Sequence, residues 1–328
     1  MMYGKHKTIG ALVTALLAIT ACSAKPQTSG LLVGGDVMLS RGGKAIFTTA
    51  SPWGELSQYL SGAETGLFFV NLESPIGTIG QEFDPGLLDM NLCAGEDTVA
   101  ILQQAGVDLV TTANNHASDC AVSDTINTRS TAEKAGIKAL DETQGLMYVP
   151  VDEQTIAILN INDYSGEYDI TTVISKLAAA REQSDLVVVS IHWGNEYQAG
   201  PSRSQEELAQ TLVNAGADLV WGHHPHVLQR MEWKTSSEDG HRALIMYSLG
   251  NLLSDQWMLP DALRSSLIRV EFLHHEIRKI AIIPLQMDAQ RKVLVYAMDS
   301  EKQEILDRLK FDELHGGKGT IIRVEGDD

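Results

Sequence analysis

The sequence lacks several patterns on which common activities depend. Three cysteines occur in 328 residues, and no two of them have the Cys-x-x-Cys spacing of a redox or zinc motif. A Gly-x-Ser-x-Gly nucleophile elbow is absent, and the glycine-rich segment at residues 316–319 does not have the spacing of a phosphate-binding loop. These absences argue against a thiol redox protein, a serine hydrolase of the α/β type and a P-loop nucleotidase.

Positive charge is also scarce. The chain has 25 lysines and arginines against 43 aspartates and glutamates, a formal net charge of −18 at pH 7. A protein this acidic repels a phosphate backbone, so we expect no nucleic-acid partner. Its 44% hydrophobic and 21% charged residues are typical of a folded globular protein. Because no low-complexity linker divides residues 31–328, we expect that segment to form a single domain.

A mostly apolar run near the amino terminus has the form of a secretory signal. Lys5 and Lys7 precede an uncharged stretch at residues 8–21, which is too short to span a bilayer as an ordinary helix. The stretch ends in Ile19-Thr20-Ala21-Cys22, which resembles the lipobox of bacterial lipoproteins. In that motif small residues flank the cleaved bond and the cysteine thiol accepts the lipid.

This pattern predicts where the mature protein begins. We expect residues 1–21 to be a lipoprotein signal peptide, Cys22 to be lipidated, and residues 22–30 to form a short polar tether. The protein would then be exported and anchored to the membrane of the bacterial cell envelope through its lipid. An uncleaved anchor helix and ordinary signal cleavage without a lipid are the alternatives.

Export also affects the interpretation of the other cysteines, Cys93 and Cys120. In an oxidising compartment a pair of thiols more often forms a disulfide than a catalytic site. We therefore expect a disulfide between them, with two buried free thiols as the alternative.

Strand-like and helix-like segments alternate along most of the chain, which is typical of α/β proteins. The expected strands are Leu31–Val33, Leu67–Asn71, Leu109–Thr112, Thr155–Ile161, Leu186–Ile191 and Leu219–Trp221. The expected helices are Thr98–Ala105, Thr125–Ala135, Val173–Glu182 and Gln205–Ala215. After Val227 the pattern changes to strands joined by turns, and we expect these strands to build a second, more antiparallel sheet.

Polar residues follow five of the expected strands at the point where each strand ends. They are Asp36, Glu73, the Asn114-Asn115-His116 segment, His192, and the His223-His224-Pro225-His226 segment. Loops at the carboxyl ends of strands in an open α/β sheet meet at one crevice, so we expect these side chains to converge. Carboxylate, amide and imidazole ligands together suit one or two divalent ions such as Mn, Zn or Fe. Each residue alone also fits a turn, a surface charge or a hydrogen-bonded core histidine.

Six segments in this order resemble a known family. They are GGDVMLSRG, FVNLESPIG, ANNHASD, IHWGNEY, GHHPHV and YSLGN. The set is similar to the bacterial CapA-type capsule-synthesis proteins, which are associated with poly-γ-glutamate capsule, and it spans residues 31 to 272. That family is similar in fold to the calcineurin-like metallophosphoesterases. The resemblance implies an α/β fold, specifically a four-layer α/β/β/α sandwich, with two metals about 3.5–4 Å apart.

The resemblance also implies a role for each polar residue. The implied metal ligands are Asp36, Glu73, Asn115, His192, His224 and His226. Glu73 would bridge the two metals, and His116 would be the general acid that faces the leaving group. One position departs from the wider superfamily, because Met38 stands where an Asp-x-His motif has its histidine. The first metal position therefore lacks one imidazole.

Three further residues are candidates for contact with an anionic substrate. They are Arg41, Glu196 and Arg203, for which an ordinary surface role is the alternative. The pair His274-His275 lies in a late strand-like segment, and we expect it to be structural.

Two functions fit these features. The first is a metal-dependent hydrolase or transferase at the cell envelope, which uses metal-activated water on an anionic surface polymer or its precursor. The second is a metal-containing accessory protein that binds or guides the polymer beside a membrane synthase without catalysis. The missing imidazole at Met38 favours the accessory protein, and the retained Asn115-His116 pair favours the enzyme.

The lipobox pattern makes a direct prediction. When cells are grown with labelled palmitate, the wild-type protein should take up the label and the Cys22→Ser variant should not, because only the thiol accepts the lipid. The variant should also accumulate as the uncleaved precursor on a gel. Equal labelling of both proteins would contradict the assignment.

Overall fold

The computed structural model describes residues 27–41, 43, 47, 51–60, 66–78, 91–120, 124–143, 145–315 and 320–325. The expected signal peptide and Cys22 lie outside these residues. Ser29 and Gly30, which we assigned to the tether, are instead the first residues of a buried strand. Among the residues that the structure describes, no helix is both long and apolar enough to cross a membrane.

The described strands, in chain order, are β1 (Ser29–Val37), β2 (Leu67–Leu72), β3 (Leu109–Thr111), β4 (Lys138–Leu140), β5 (Leu146–Val151), β6 (Gln154–Asn162), β7 (Leu186–His192), β8 (Leu219–His223), β9 (Met231–Thr235), β10 (Arg242–Met246), β11 (Asn251–Leu253), β12 (Arg264–Leu273), β13 (Glu276–Asp288), β14 (Val293–Tyr296) and β15 (Ile321–Val324). The α-helices are α1 (Leu56–Leu60), α2 (Val99–Gln104), α3 (Asp124–Lys134), α4 (Ile170–Arg181), α5 (Arg203–Asn214), α6 (Asp299–Leu309) and α7 (Phe311–Leu314). The expected strands and helices between residues 31 and 221 are therefore confirmed, with ends that differ by a few residues.

The strands form two sheets. The first has the order β14-β13-β12-β1-β2-β3-β4, with β11 beside β1 and β15 beside β13. The second has the order β5-β6-β7-β8-β10-β9. Within the first sheet, β1 to β4 pair in parallel and β12 to β14 are antiparallel. Of the strands after Val227, which we expected to build a second sheet, β9 and β10 join β5 to β8 in that sheet, but the prediction was wrong for β11 to β15, which belong to the sheet that β1 begins.

Three groups of buried side chains hold these layers together. Alternation along β1 separates two of them, since Leu31 and Val33 belong to one core and Leu32 to another. The first core contains apolar residues from both sheets. Among them are Phe69 of β2 and Trp221 of β8, whose ring centroids lie 4.6 Å apart. The second contains side chains of α1 and α2 against the first sheet, and the third contains side chains of α4 and α5 against the second sheet.

One hydrogen bond joins the two sheets beside their polar strand ends. The indole nitrogen of Trp221 donates to the backbone oxygen of Gly34 at 2.9 Å, and both residues are buried. Trp221 lies two residues before His223, and Gly34 lies two residues before Asp36. The contact therefore fixes the ends of β1 and β8 relative to each other.

The structure pairs Cys93 with Cys120 in a disulfide that links segments 27 residues apart in sequence. The neighbouring residue Asp119 strengthens this link, because its carboxylate accepts a hydrogen bond from the backbone nitrogen of Leu92 at 2.6 Å. The disulfide therefore holds the loop after β3 against the segment that precedes α2.

Removal of this disulfide should destabilise the protein. A loop of this length constrains the unfolded chain by about 3–4 kcal/mol in the chain-entropy account, so the Cys93→Ser/Cys120→Ser variant should lose stability of that order. Urea denaturation of the purified exported protein measures the loss. Equal free energies of unfolding for the two proteins, or two free thiols in the oxidised wild type, would contradict the pairing.

Candidate metal centre

The polar residues at the strand ends come together where the two sheets meet. Two groups have potential ligand atoms that all lie within 4.8 Å of one another. One consists of Asp36, His192 and His223, and the other consists of Glu73, His224 and His226. All six residues are buried. The first sheet supplies the carboxylates and the second sheet supplies the imidazoles, so the centre depends on the packing of both.

Glu73 is the most unusual member of the cluster. Its side chain is fully buried, and neither carboxylate oxygen has a hydrogen-bond partner. The nearest nitrogens are Nε2 of His192, 3.7 Å from Oε1, and Nδ1 of His226, 3.6 Å from Oε2. Burial raises the pKa of Glu73 to about 8 despite the opposing effect of His226. A buried carboxylate without partners is costly, and a bound cation would relieve that cost.

His224 presents a second buried atom of this kind. Its Nδ1 has no hydrogen-bond partner, and its backbone has a φ of 99°, which a non-glycine residue adopts only under constraint. Burial, assisted by the charge on His226, lowers the pKa of His224 to about 3. The ring is therefore neutral at physiological pH, which is the form that binds metals.

Asp36 is held in place by several donors. One oxygen accepts a hydrogen bond from the side-chain amide of Asn71 at 2.7 Å, and the other lies 3.2 Å from Nδ1 of His226. Burial alone would raise the pKa of Asp36, but its contacts with His226 outweigh burial and lower the pKa. Asp36 is therefore an ionised carboxylate with a fixed orientation.

His192 is aligned from both ring nitrogens. Its Nε2 lies 2.7 Å from Oδ1 of Asn115, and its Nδ1 lies 2.8 Å from Nδ1 of His223. His223 in turn contacts the hydroxyl of Ser190 at 3.0 Å. Burial lowers the pKa of His192 well below its usual value and that of His223 to about 4, so both rings are neutral. These contacts fix the orientation of His192 beside Asn115.

His226 is the exception among the imidazoles. Burial lowers its pKa, but the carboxylates of Glu73 and Asp36 outweigh that effect and raise the pKa to about 9. A protonated His226 neutralises the same two carboxylates that a divalent ion would contact. Proton binding at His226 and metal binding at the cluster therefore compete.

His116 lies at the edge of the cluster with a partner of its own. Its Nδ1 is 2.7 Å from a carboxylate oxygen of Asp119, and its backbone nitrogen donates to Oδ1 of Asn114 at 3.1 Å. A carboxylate on one ring nitrogen fixes the tautomer and leaves the other nitrogen for proton transfer. This arrangement fits a positioned acid or base. Sequence reasoning did not identify Asp119, although its place three residues after His116 was visible.

The three expected substrate-contact residues have different positions. Glu196 is at the rim, with its carboxylate 4.0 Å from Nε2 of His226 and its side chain 33% exposed. Arg41 is mostly buried and donates to Asp255 at 2.6 Å. Arg203 begins α5 with an 89% exposed side chain that pairs with Glu207, so it lies apart from the described cluster.

The structural role expected for His274 and His275 agrees with their contacts. Both lie in the tight turn between β12 and β13, with φ values of 46° and 62°, rather than inside a strand. His274 contacts Asp185 at 2.8 Å, and His275 contacts Asp218 at 2.7 Å.

These features define a mixed α/β protein whose two sheets meet at a buried cluster of carboxylates and imidazoles suited to divalent metal. Comparison with known sequences gives its family: the chain belongs to the bacterial capsule synthesis proteins of the PGA_cap family, whose model matches residues 30–256. The resemblance to CapA-type proteins is thereby confirmed.

Two relatives and one solved structure illustrate the match. The chain is 30% identical over 251 residues to the PGA biosynthesis protein CapA of Bacillus subtilis, a match that covers 68% of this chain and 62% of that protein. It is 28% identical over 303 residues to the capsule biosynthesis protein CapA of Bacillus anthracis, covering 82% of this chain and 70% of that protein. A hypothetical protein from Thermus thermophilus has a similar fold, with a TM-score of 0.50, 16% identity, and coverage of 78% of this chain and 99% of that one.

The cluster predicts metal-dependent stability that His224 controls. A metal that binds only the folded protein stabilises it by about 2.7 kcal/mol at one hundred times its Kd, so MnCl2 should raise the Tm of the wild type. The His224→Ala variant should bind less metal and show a smaller rise, because it loses a buried ligand. Elemental analysis and thermal denaturation with and without EDTA measure both effects.

His274→Ala is the matched control, since this histidine is exposed and lies in a turn away from the cluster. It should retain the metal content and the Mn-dependent rise in Tm of the wild type. A full metal complement in His224→Ala would show that the metal binds elsewhere.

Proposed function

We propose that this protein acts in the synthesis of an anionic surface polymer, such as poly-γ-glutamate, as a metal-dependent hydrolase or transferase of the cell envelope. The observation that carries the proposal is the unpartnered, fully buried carboxyl group of Glu73, which faces the imidazoles of His192, His224 and His226 where the sheets meet. The relatives named for capsule and PGA biosynthesis support the polymer as substrate.

The residues present fit one or two divalent ions. Glu73 would contact both ions, and Asn115, His192 and His224 would hold the second. Asp36 and His226 would hold the first. When bound, a divalent ion in such a site polarises a substrate oxygen and activates water.

His116 supplies the proton in this proposal. Its contact with Asp119 holds the ring, and the contact of its backbone nitrogen with Asn114 holds the loop. In this position the ring would protonate the leaving group as the scissile bond breaks, which is the role of a general acid. Asp119 would act as a positioning residue, because its carboxylate accepts a hydrogen bond from Nδ1–H and leaves Nε2 as the nitrogen that carries the transferred proton.

We also propose that the protein has four layers and is anchored at the cell envelope. One core between the two sheets and one core between each sheet and its helices support a four-layer α/β/β/α sandwich of the metallophosphatase type. The lipobox pattern that ends at Cys22 supports a lipid anchor at the cell envelope. Such an anchor would place the site near a membrane polymer synthase.

A second function is favoured by one observation at the first metal position. Met38 is buried where an imidazole ligand would stand in related enzymes, and a thioether binds hard divalent ions poorly. A weakened metal position suits an accessory protein that binds or guides the polymer beside the synthase without cleaving it.

His116 separates the two functions. In the enzyme, His116→Ala should keep its metal and its fold. Because the general acid is lost, turnover should fall by about 10²–10⁴-fold and capsule formation should fall to near zero. Asn115→Ala should lose metal and activity together, since its side-chain oxygen is a ligand. Capsule complementation in a deletion strain, measured beside metal content, checks both.

The matched control is His241→Ala, which removes another histidine paired with an aspartate, Asp239, outside the cluster. This variant should complement fully. Full complementation by a metal-replete His116→Ala protein would contradict catalysis and leave the accessory role.

A further inference from the structure

Asn251 lies beside Asp36 and next to His226 in the buried cluster. It begins β11, which runs parallel to β1, and its Cα is paired with that of Asp36 in the sheet register. Its side chain is fully buried, and its Oδ1 lies 3.1 Å from Nδ1 of His226. Asn251 is part of the YSLGN segment, to which the sequence analysis assigned no role.

Two glycines allow this approach. A Cβ on Gly35 would lie 1.9 Å from the backbone oxygen of Gly250, so only glycine permits the two segments to come this close. Gly250 itself has a φ of 67°, in the left-handed region that favours glycine. The backbone nitrogen of Asp36 donates to the oxygen of Gly250 at 3.0 Å, which fixes Asn251 next to Asp36.

The orientation of the Asn251 amide is set by its donor side. The Nδ2 group donates to Oε1 of Gln256 at 2.9 Å and to the backbone oxygen of Ala262 at 3.3 Å. Both acceptors hold the NH2 group, so the amide oxygen is left to face the cluster. These acceptors thus decide which end of the Asn251 amide is nitrogen and which is oxygen.

Three oxygens converge on Nδ1 of His226 in the cluster. Around Nδ1 of His226 lie Oδ1 of Asn251 at 3.1 Å, Oδ2 of Asp36 at 3.2 Å and Oε2 of Glu73 at 3.6 Å. Two of these oxygens belong to carboxylates, and the third is a neutral amide oxygen. Converging carboxylate and amide oxygens form the type of site that binds Mn²⁺ or Mg²⁺.

We infer that Asn251 Oδ1 is a ligand of the first metal position and replaces the imidazole that Met38 does not provide. The inference rests on the proposed function, since it needs a metal at the cluster. An oxygen ligand in place of an imidazole makes the first metal position a harder site. Compared with the second position, which two histidines line, the first should therefore prefer Mn²⁺ to Zn²⁺ more strongly.

Two substitutions of the same residue test the inference. Asn251→Leu and Asn251→Asp both remove the NH2 donor to Gln256 and Ala262, but only the aspartate keeps an oxygen at the ligand position. If Asn251 is a ligand, Asn251→Leu should weaken at least one Mn²⁺-binding step by about 10-fold or more, and Asn251→Asp should bind Mn²⁺ as tightly as the wild type or more tightly. Isothermal titration calorimetry with MnCl2 on the purified full chain measures each step.

A rescue variant and a control complete the experiment. Met38→His/Asn251→Leu places an imidazole at the superfamily position and should recover most of the lost Mn²⁺ affinity. Asn160→Leu removes another buried asparagine, whose amide donates to the backbone of Leu140 away from the cluster, and should bind Mn²⁺ normally. Circular dichroism in EDTA should show that all variants are folded.

The outcomes separate the inference from the proposed function. Equal weakening by Asn251→Leu and Asn251→Asp would make Asn251 a structural donor and overturn the inference. Unchanged affinities in Asn251→Leu would also overturn it, while a wild type that binds Mn²⁺ would leave the proposed metal site standing. A wild type that binds no divalent metal would overturn the proposed function itself.

Discussion

The burial of two carboxylates, Asp36 and Glu73, is the constraint on which the rest of the centre depends. Removal of these groups from water is costly, and the cost grows when they lie near each other. The chain offsets it unequally: Asp36 has the amide of Asn71 and the ring of His226, whereas Glu73 has no hydrogen-bond partner. Such an imbalance is relieved by a proton, on His226 or on Glu73 itself, whose pKa burial raises to about 8, or by a metal ion.

The packing of the two sheets makes this burial possible. Trp221 bridges the sheets with its ring against Phe69 and its indole nitrogen on the oxygen of Gly34. The same contacts fix β8, which ends at His223, against β1, which carries Asp36, and both of these residues are buried. A lower local polarity strengthens every remaining electrostatic contact, so the apolar core and the metal ligands act together.

Sequence reasoning predicted most members of the cluster because each one follows an apolar strand, and parallel strands bring their carboxyl ends together. It did not predict which sheet the later strands join. The sequence pattern of β12 and β13 indicates that they are strands, but it does not indicate which strand each one pairs with. Asp119 was missed although it follows His116 by three residues, and Asn251 was missed for a reason related to partner choice. Asn251 reaches the cluster only through the close approach of Gly35 to Gly250, a contact between distant segments that no local pattern records. The helix α6 was missed because few of its residues are apolar and buried, namely Ile305, Leu306 and Leu309.

Charge gives the centre a further role in the proposed function. With a net charge of −18, the protein repels an anionic polymer at long range. Among the described residues, Arg41 is a cationic side chain close enough to act on Glu73, but it is paired with Asp255 and offers little uncompensated positive charge. Attraction for a polyanion must then come from short-range sources within the crevice, and divalent ions at the cluster supply the largest local positive charge available there. Metal binding would thus be required to hold the polymer in either proposed role, whether or not a bond is cleaved.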